Sequence, residues 1–411
     1  MSEQRLEKKY SQVVNILIFI FPIVINSLQI AGDIVLFILA MMGIYVAISQ
    51  KLSPFVIKEI KVFSYLTFGY FIAVCLSVLF SGQASDLAHF IPRDLHFFFA
   101  PFIALAIFKA EINIKYLIMG VKVALLILGI IIMYQLLDGN ERPSGIMNAA
   151  VFGNLAVSLF FVTLVFFQQE SLKQRILSFL SLLSGLLIII ASGTRGAWLS
   201  FFLLLGVYFY FFLKQNIKLK VISKITILLV ITGVLCIGFF NQQVKERVYS
   251  AFTETSNWIN NDKDSSLSAS YQRLEMYSLA IEKIDKVPFF GHGYRTSNVV
   301  VFENSVTPVG RKSYTYNHLH NAYLTQYFNG GFVLLGALLL LLFVPLRLFM
   351  KGNIQNHENP VYISGVMLTL GYASYGMVNI LFGDTYMNGF YTFFLAIFML
   401  LYAQSVRISS T

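Results

Sequence analysis

The feature that most constrains this chain is a series of apolar runs, each close to the length that crosses a lipid bilayer. Only 12% of the 411 residues are charged, whereas a soluble domain carries roughly a quarter. This composition excludes an ordinary water-soluble enzyme and predicts an all-α polytopic integral membrane protein with about 12 transmembrane helices. The predicted spans lie near 13–30, 34–49, 62–80, 96–108, 116–137, 148–167, 176–191, 197–213, 221–240, 331–349, 361–381 and 389–405.

The basic residues predict how the chain is oriented in the membrane. The termini and short loops on one side carry 17 Lys and Arg, against 3 in the short loops on the other side. Because short cytoplasmic loops concentrate these residues, we expect both termini in the cytoplasm. The net charge of +10 then reflects orientation rather than nucleic-acid binding. One long polar loop between spans nine and ten falls on the opposite side, dividing the chain into residues 1–240, 241–330 and 331–411.

The first candidate site is the segment Ser192–Trp198, at the extracytoplasmic start of the eighth span. Arg195 lies there beside a helix N-terminus, where free N–H groups and the positive end of the helix dipole favour an anion. Its guanidinium adds two parallel hydrogen bonds in the geometry that phosphate accepts. The segment therefore indicates a phosphate site. An interfacial arginine that reaches lipid headgroups is the alternative.

The second candidate lies in the long polar loop, where residues 270–284 have the pattern of an amphipathic helix. Apolar residues recur there at spacings of three and four, and Pro288 with the glycines that follow ends the helix. Arg273 lies beside the apolar face near the helix start, so we expect it to point into a cleft at the level of the membrane. The alternative is a solvated arginine paired with Glu275 or Glu282.

The third candidate is the segment Tyr316–Leu324, just before the tenth span, which contains His318, His320 and Asn321. Histidine titrates near neutral pH and is the usual general base for a hydroxyl nucleophile when a neighbour fixes its tautomer. A His-x-His pair also occurs in zinc sites, but no Cys or Glu cluster completes a ligand set, so no metal is expected. Histidines that only pack at the membrane interface are the remaining alternative.

Two weaker candidates lie on the same side of the membrane as these three sites. Arg93, in the second extracytoplasmic loop, is a further candidate phosphate ligand. Asp384, between the last two spans, is a candidate for orienting the base, and an ordinary turn residue is its alternative. Asp262-Lys263-Asp264 spells the D-x-D pattern of metal-using sugar transferases, but its Thr-, Ser- and Asn-rich surroundings favour a solvated linker.

The three main candidates follow one another in a recognisable order. Ser-x-x-Arg-Gly opens a span, an arginine precedes an amphipathic helix and Pro-x-x-Gly-x-Gly, and His-Asn-x-Tyr-Leu leads into a glycine-rich span. This order resembles the O-antigen ligase superfamily of bacterial inner-membrane proteins, which also includes O-antigen polymerases and protein O-oligosaccharyltransferases. The resemblance covers about Asn148 to Leu341 in motif order, and the whole chain in span count. It implies a membrane glycosyltransferase of the type C-like architecture in the bacterial inner (cytoplasmic) membrane, with its large loop and active site facing the periplasm.

The resemblance also implies substrates and residue roles. The donor would be an undecaprenyl-diphosphate-linked glycan and the acceptor lipid A–core oligosaccharide, within a setting of membrane lipids and with neither cofactor nor metal. Arg195 and Arg273 match the family's diphosphate-binding arginines and His320 matches its base, whereas His318 has no such match; His318 and Asn321 are candidates for substrate binding. We therefore predict an O-antigen ligase, with a polymerase or protein O-oligosaccharyltransferase as alternatives. A flippase for lipid-linked glycans belongs to a different class, and it is disfavoured because alternating access favours a site near the membrane midplane.

Overall fold

The protein is built from helices, as seen in a computed structural model. Within the described residues no strand occurs. These residues are 2–28, 30–80, 82, 91–214, 242–260, 268–303, 318–355 and 359–410. The helices are α1 (Ser2–Ser27), α2 (Ala31–Ser49), α3 (Lys61–Phe80), α4 (Leu95–Lys109), α5 (Ile114–Leu137), α6 (Ala149–Phe166), α7 (Leu172–Ala191), α8 (Arg195–Lys214), α9 (Gln242–Ile259), α10 (Ala269–Glu282), α11 (Ser297–Phe302), α12 (Ala322–Gln355), α13 (Pro360–Tyr375) and α14 (Thr385–Ser410).

Ten helices within the described part of the chain are long and apolar enough to cross a membrane: α1 to α8, α12 and α14. This confirms a multi-pass membrane protein. Helix α13 has 16 residues, and the predicted span 221–240 lies outside the described residues. The count of twelve spans and the place of the long loop therefore stay predictions.

Hydrogen bonds between helix ends define two ends of the bundle. At one end, Thr194 at the start of α8 donates its hydroxyl to the Ala149 carbonyl at the start of α6, at 3.0 Å. There the Ala322 N–H also donates to the Gly376 carbonyl at 2.7 Å, joining the start of α12 to the end of α13. We call this the site end. At the other end, Lys122 Nζ lies 2.5 Å from Glu170 in a buried ion pair.

Helix α12 is interrupted one-quarter of the way along, at Gly330 and Gly331. Gly331 has φ 59°, a conformation that favours glycine, and a Cβ there would lie 2.0 Å from the Phe289 carbonyl oxygen. The Pro288–Gly293 segment packs into this break, where the Phe332 N–H donates to Phe289 at 3.0 Å. The glycine pair thus lets the segment after α10 approach the membrane helix.

Two of the predicted span boundaries that differ from the helices lie near the site. The predicted span 361–381 ends early, at Tyr375, because the Gly376 carbonyl bonds to α12 instead of continuing the helix. The predicted span 331–349 begins early, since α12 starts at Ala322 and continues through the glycine break. The earlier start places the short half-helix Ala322–Asn329 directly after the two histidines.

Candidate active site

Arg195 is the first residue of α8 and lies at the site end, as its sequence position predicts. The guanidinium makes four hydrogen bonds: to both carboxylate oxygens of Glu254 at 3.1 and 3.3 Å, to Ser250 Oγ at 3.1 Å and to Ser270 Oγ at 2.6 Å. These partners come from α9 and α10, so Arg195 joins a membrane helix to two helices of the segment 241–330. Its side chain is 29% exposed.

Glu254 occupies a cradle of donors that suits an anion. Besides the two bonds from Arg195, its carboxylate accepts the Ser270 backbone N–H at 2.9 Å, in the first turn of α10. Burial raises the pKa of Glu254, but hydrogen bonds from Arg195 and Ser270 outweigh burial and leave the pKa below its ordinary value. A guanidinium, a hydroxyl and a helix N-terminus are also the donors that bind a phosphate.

Three further arginines surround Arg195 at this point. Arg142 donates its Nε–H to the Ser192 carbonyl at 3.1 Å. Burial, and then the positive charges of Arg247, Arg273 and Arg195, lower the pKa of Arg142. The guanidinium of Arg142 therefore lies within electrostatic range of the other three, and a polyvalent anion would relieve this repulsion.

Sequence reasoning found Arg195 and Arg273 but missed Arg142 and Arg247. A signal existed for Arg142, which is one of only three basic residues in the short loops of its side. The sequence contains no such signal for Arg247, because the position of this residue depends on how α9 packs against the bundle. Gly193, with φ 59°, makes room for it, since a Cβ on Gly193 would lie 3.0 Å from the Arg247 Cζ.

The two histidines lie together beside Arg273. The rings of His318 and His320 are 4.5 Å apart between centroids and inclined at 66°. His320 has φ 51°, the left-handed region that costs a non-glycine residue energy, and its carbonyl accepts the Tyr277 hydroxyl at 2.9 Å. Tyr277 is one turn beyond Arg273 on α10, so this helix anchors the histidine loop as well as the arginine.

Both histidines are held in the neutral form. Burial, and then the charges of Arg295 and Arg273, lower the pKa of His318 to about 4. Burial, and then the charges of His318 and Arg273, lower the pKa of His320 to about 3. Since Arg273 also lowers the pKa of Arg142, it lies within electrostatic range of both the histidines and Arg142. A neutral imidazole has the free lone pair that a general base needs, and an anion bound beside Arg273 would raise its pKa towards the working pH.

Asn321 acts as the N-cap of α12. Its Oδ1 accepts the Leu324 N–H at 3.0 Å, and its Nδ2 donates to the Met377 carbonyl at 3.2 Å. These bonds position the start of α12 and, with it, His320. Binding of substrate by Asn321 and by His318 stays a prediction.

Arg93 and Asp384 belong to a second polar group at the site end. Asp384 accepts the Met387 N–H at 3.1 Å and so caps α14, while burial raises its pKa against the opposing charge of Arg93. Arg93 also lowers the pKa of Arg295, where burial has the larger effect. Arg93 lines a mainly apolar cavity of about 340 Å³ with His96, whose ring bonds Asp33 at 2.9 Å. Neither the phosphate role of Arg93 nor the orienting role of Asp384 is tested by these contacts.

In the described part of the chain, no three His, Cys, Asp or Glu side chains are arranged to hold a metal ion. Asp262 and Asp264, the two acids of the D-x-D pattern, lie outside the described residues. The positive charge of the site is therefore contributed, in the described residues, by arginine side chains.

Comparisons with known proteins agree with this picture. Residues 179–341 match the family model described as O-antigen ligase. An uncharacterized protein of Haemophilus influenzae is 25% identical over 373 residues, which cover 86% of this chain and 88% of that protein. The matched segment runs from α7 into α12 and contains Arg195, Arg273, His318 and His320. The match over residues 179–341 supports the resemblance to the O-antigen ligase superfamily that the order of the sequence motifs predicts.

Proposed function

We propose that this protein is an O-antigen ligase, which transfers a glycan from an undecaprenyl-diphosphate carrier to lipid A–core oligosaccharide at the periplasmic face of the inner membrane. The observation that carries the proposal is a cluster of four arginines at one end of the bundle, one of which, Arg273, also acts on two neutral histidines. The superfamily supports lipid-linked glycans as the substrate class. The 17-to-3 distribution of basic residues supports the periplasmic side for this end.

The proposed reaction is one displacement at the anomeric carbon of the donor sugar. The acceptor hydroxyl attacks as an imidazole nitrogen of His320 takes its proton, and the bond from the anomeric carbon to the diphosphate oxygen breaks. Undecaprenyl diphosphate leaves with the bonding electrons. Attack opposite the leaving group inverts the anomeric configuration.

The arginines would stabilise the leaving group. Arg195 and Arg273, together with Arg142 and Arg247, place fixed positive charge where negative charge develops on the diphosphate. This charge does not have to be brought in by a cation, so the transfer is proposed to be independent of metal. Before the donor binds, the Glu254 carboxylate holds Arg195 in the same region.

Reconstitution of the purified protein tests the proposal. Lipid-linked O-antigen and rough lipopolysaccharide are incubated with the protein and EDTA, and the products are separated on a gel. A ladder of lipopolysaccharide that forms in the presence of chelator is the expected result. Loss of the ladder with EDTA and its recovery with magnesium or manganese would contradict metal independence and draw attention to Asp262 and Asp264.

Two control reactions separate the alternatives. Donor incubated without lipopolysaccharide should stay unchanged, whereas its conversion into longer lipid-linked chains would identify a polymerase. Donor placed in one leaflet of a proteoliposome should not change sides, and movement without formation of a glycosidic bond would identify a flippase.

A further inference from the structure

Helix α9 presents two chemically different faces. The side chains of Arg247, Ser250, Glu254 and Trp258 are spaced three and four residues apart and point towards the protein. Ser250 and Glu254 bond Arg195, and Trp258 Nε1 donates to Glu275 at 3.3 Å. This inward face therefore contacts α8 and α10.

The opposite face of α9 is apolar and uncovered. It carries four large exposed side chains: Val248 (45%), Tyr249 (73%), Phe252 (74%) and Ile259 (66%). They recur along one side of the helix, with Phe252 two turns before Ile259. A helix whose polar face packs on the protein and whose apolar face points outward is inverted relative to a helix surrounded by water.

The depth of α9 explains this inversion. Its inward face bonds Arg195, which is the first residue of a stretch, Arg195–Phe212, that is long and apolar enough to cross a membrane. The helix therefore lies at the level where that stretch leaves the bilayer. Along the chain, Gln242 also follows directly after the apolar run 221–240. Both observations place the outward face of α9 at the surface of the bilayer rather than in bulk water.

We propose that α9 is an interfacial helix, whose apolar face of Val248, Tyr249, Phe252 and Ile259 binds the lipid surface of the leaflet on the site side. Burial of these side chains among acyl chains supplies the attraction, as in other amphipathic helices that lie in the plane of a membrane. Lys245, exposed near the same face, is long enough to reach headgroup phosphates. The inference rests on the membrane spans and not on the proposed transfer reaction.

One consequence links the lipid to the site. Glu254 and Phe252 lie on opposite faces of one turn of α9. One face of the helix therefore contacts Arg195, and the opposite face contacts lipid. A lipid-linked molecule that reaches Arg195 from the bilayer would therefore pass beside α9.

Depth-dependent fluorescence tests the proposal on the full-length protein. The native cysteines Cys75 and Cys236 are replaced by serine, and one cysteine is introduced as Phe252→Cys or, as the matched control, Glu246→Cys at an exposed polar position of the same helix. Each protein is labelled with an environment-sensitive nitrobenzoxadiazole dye. It is then reconstituted into vesicles of phosphatidylethanolamine and phosphatidylglycerol, with or without nitroxide-labelled lipid.

The dye at position 252 should emit at shorter wavelength than the dye at 246, and nitroxide lipid should quench it severalfold more strongly. Iodide in the aqueous phase should show the reverse order. Equal quenching of both dyes by iodide, with none by the nitroxide lipid, would overturn the proposal. Quenching that instead grows with the protein-to-lipid ratio would assign this face to a second copy of the chain and equally overturn a lipid partner.

A second variant tests whether the apolar side chains themselves, rather than the dye at position 252, hold α9 at the membrane. Tyr249→Ser and Phe252→Ser are combined and the dye is moved to position 259. Both side chains are exposed, so the variant should match the parent in detergent extraction and monodispersity. Nitroxide quenching at position 259 should fall severalfold. Unchanged quenching in a monodisperse variant would show that the apolar face does not hold α9 at the membrane.

Discussion

At the scale of single residues, the arginines of the site are distinguished by shape as well as charge. Arg195 already uses its planar fork to bond both oxygens of a carboxylate. A lysine keeps the charge but cannot reproduce a two-point contact to phosphate oxygens. Arg195→Lys and Arg273→Lys should each lower kcat/KM about tenfold to a hundredfold, the worth of one lost hydrogen bond to a charged group.

Initial rates of ladder formation measure this effect. Arg407→Lys serves as the matched control, because Arg407 pairs with Glu59 at 3.3 Å at the far end of the bundle and is 76% exposed. Its rate should equal that of the parent. Parent rates in the Arg195 and Arg273 variants would remove both residues from the diphosphate site.

Glu254 offers a second test at this scale. If its carboxylate competes with the donor diphosphate for Arg195, Glu254→Gln should lower the donor KM severalfold, because the amide has no charge to hold the guanidinium. Glu275→Gln is the control, since Glu275 accepts a bond from Trp258. Initial rates at varied donor concentration give the donor KM and the kcat of each variant. A higher KM or a lower kcat in Glu254→Gln would mean that Glu254 instead positions Arg195 for catalysis.

The histidine base predicts a particular dependence on pH. A folded-state pKa of His320 near 3 lies below the ordinary 6.5, so the base stays neutral and competent as pH falls through 6.5. The acid limb of kcat/KM, which reports the free enzyme, should therefore lie well below pH 6. A bound diphosphate offsets the charge of Arg273 and raises the pKa of His320, so the acid limb of kcat should lie at higher pH.

Variants of the two histidines complete this test. His320→Ala should lower the rate by roughly a hundredfold or more and remove the acid limb, while His318→Ala should have a smaller effect. Matched expression and monodispersity are required before rates are compared. The base assignment fails if a stable His320→Ala protein transfers glycan at the parent rate. Equal losses in both variants would mean that the pair acts as a unit.

At the scale of elements, the break in α12 holds the loop against the bundle. Gly331→Ala should destabilise the protein, because alanine is strained at φ 59° by about 1–3 kcal/mol and its Cβ would overlap the Phe289 carbonyl. Gly336→Ala, in the same helix with no atom within 4 Å of the new Cβ, is the matched control. Thermal melting in detergent should show a clear drop for the first variant and none for the second. Equal melting temperatures would show that the break tolerates a side chain.

At the scale of the whole molecule, the basic residues predict which side of the membrane each end faces. In a protein with Cys75 and Cys236 replaced by serine, Glu246→Cys on α9 should react in intact spheroplasts with a maleimide that cannot cross the membrane. Lys115→Cys, at the opposite end of the bundle, should react only after permeabilisation. The reverse pattern would place the arginine cluster in the cytoplasm and contradict the proposed periplasmic reaction.

The sequence by itself determined the membrane class and most helix positions, and it predicts three residues of the candidate site. An apolar run in lipid must satisfy its backbone groups within its own helix, so its position is a local property that can be read along the chain. Arg195, Arg273 and His320 could be predicted from the sequence in the same way, because each lies in a motif beside the end of a span or a helix.

Only the tertiary structure decided which groups surround these residues. Arg142 joins Arg195 from a loop and Arg247 joins it from α9, while Glu254 reaches it from 59 residues away. These contacts depend on the packing of α9 and α10 against the bundle, which no local pattern encodes. The same packing turns the apolar face of α9 outward, since the orientation of an amphipathic helix is set by its neighbours and by the solvent that it meets.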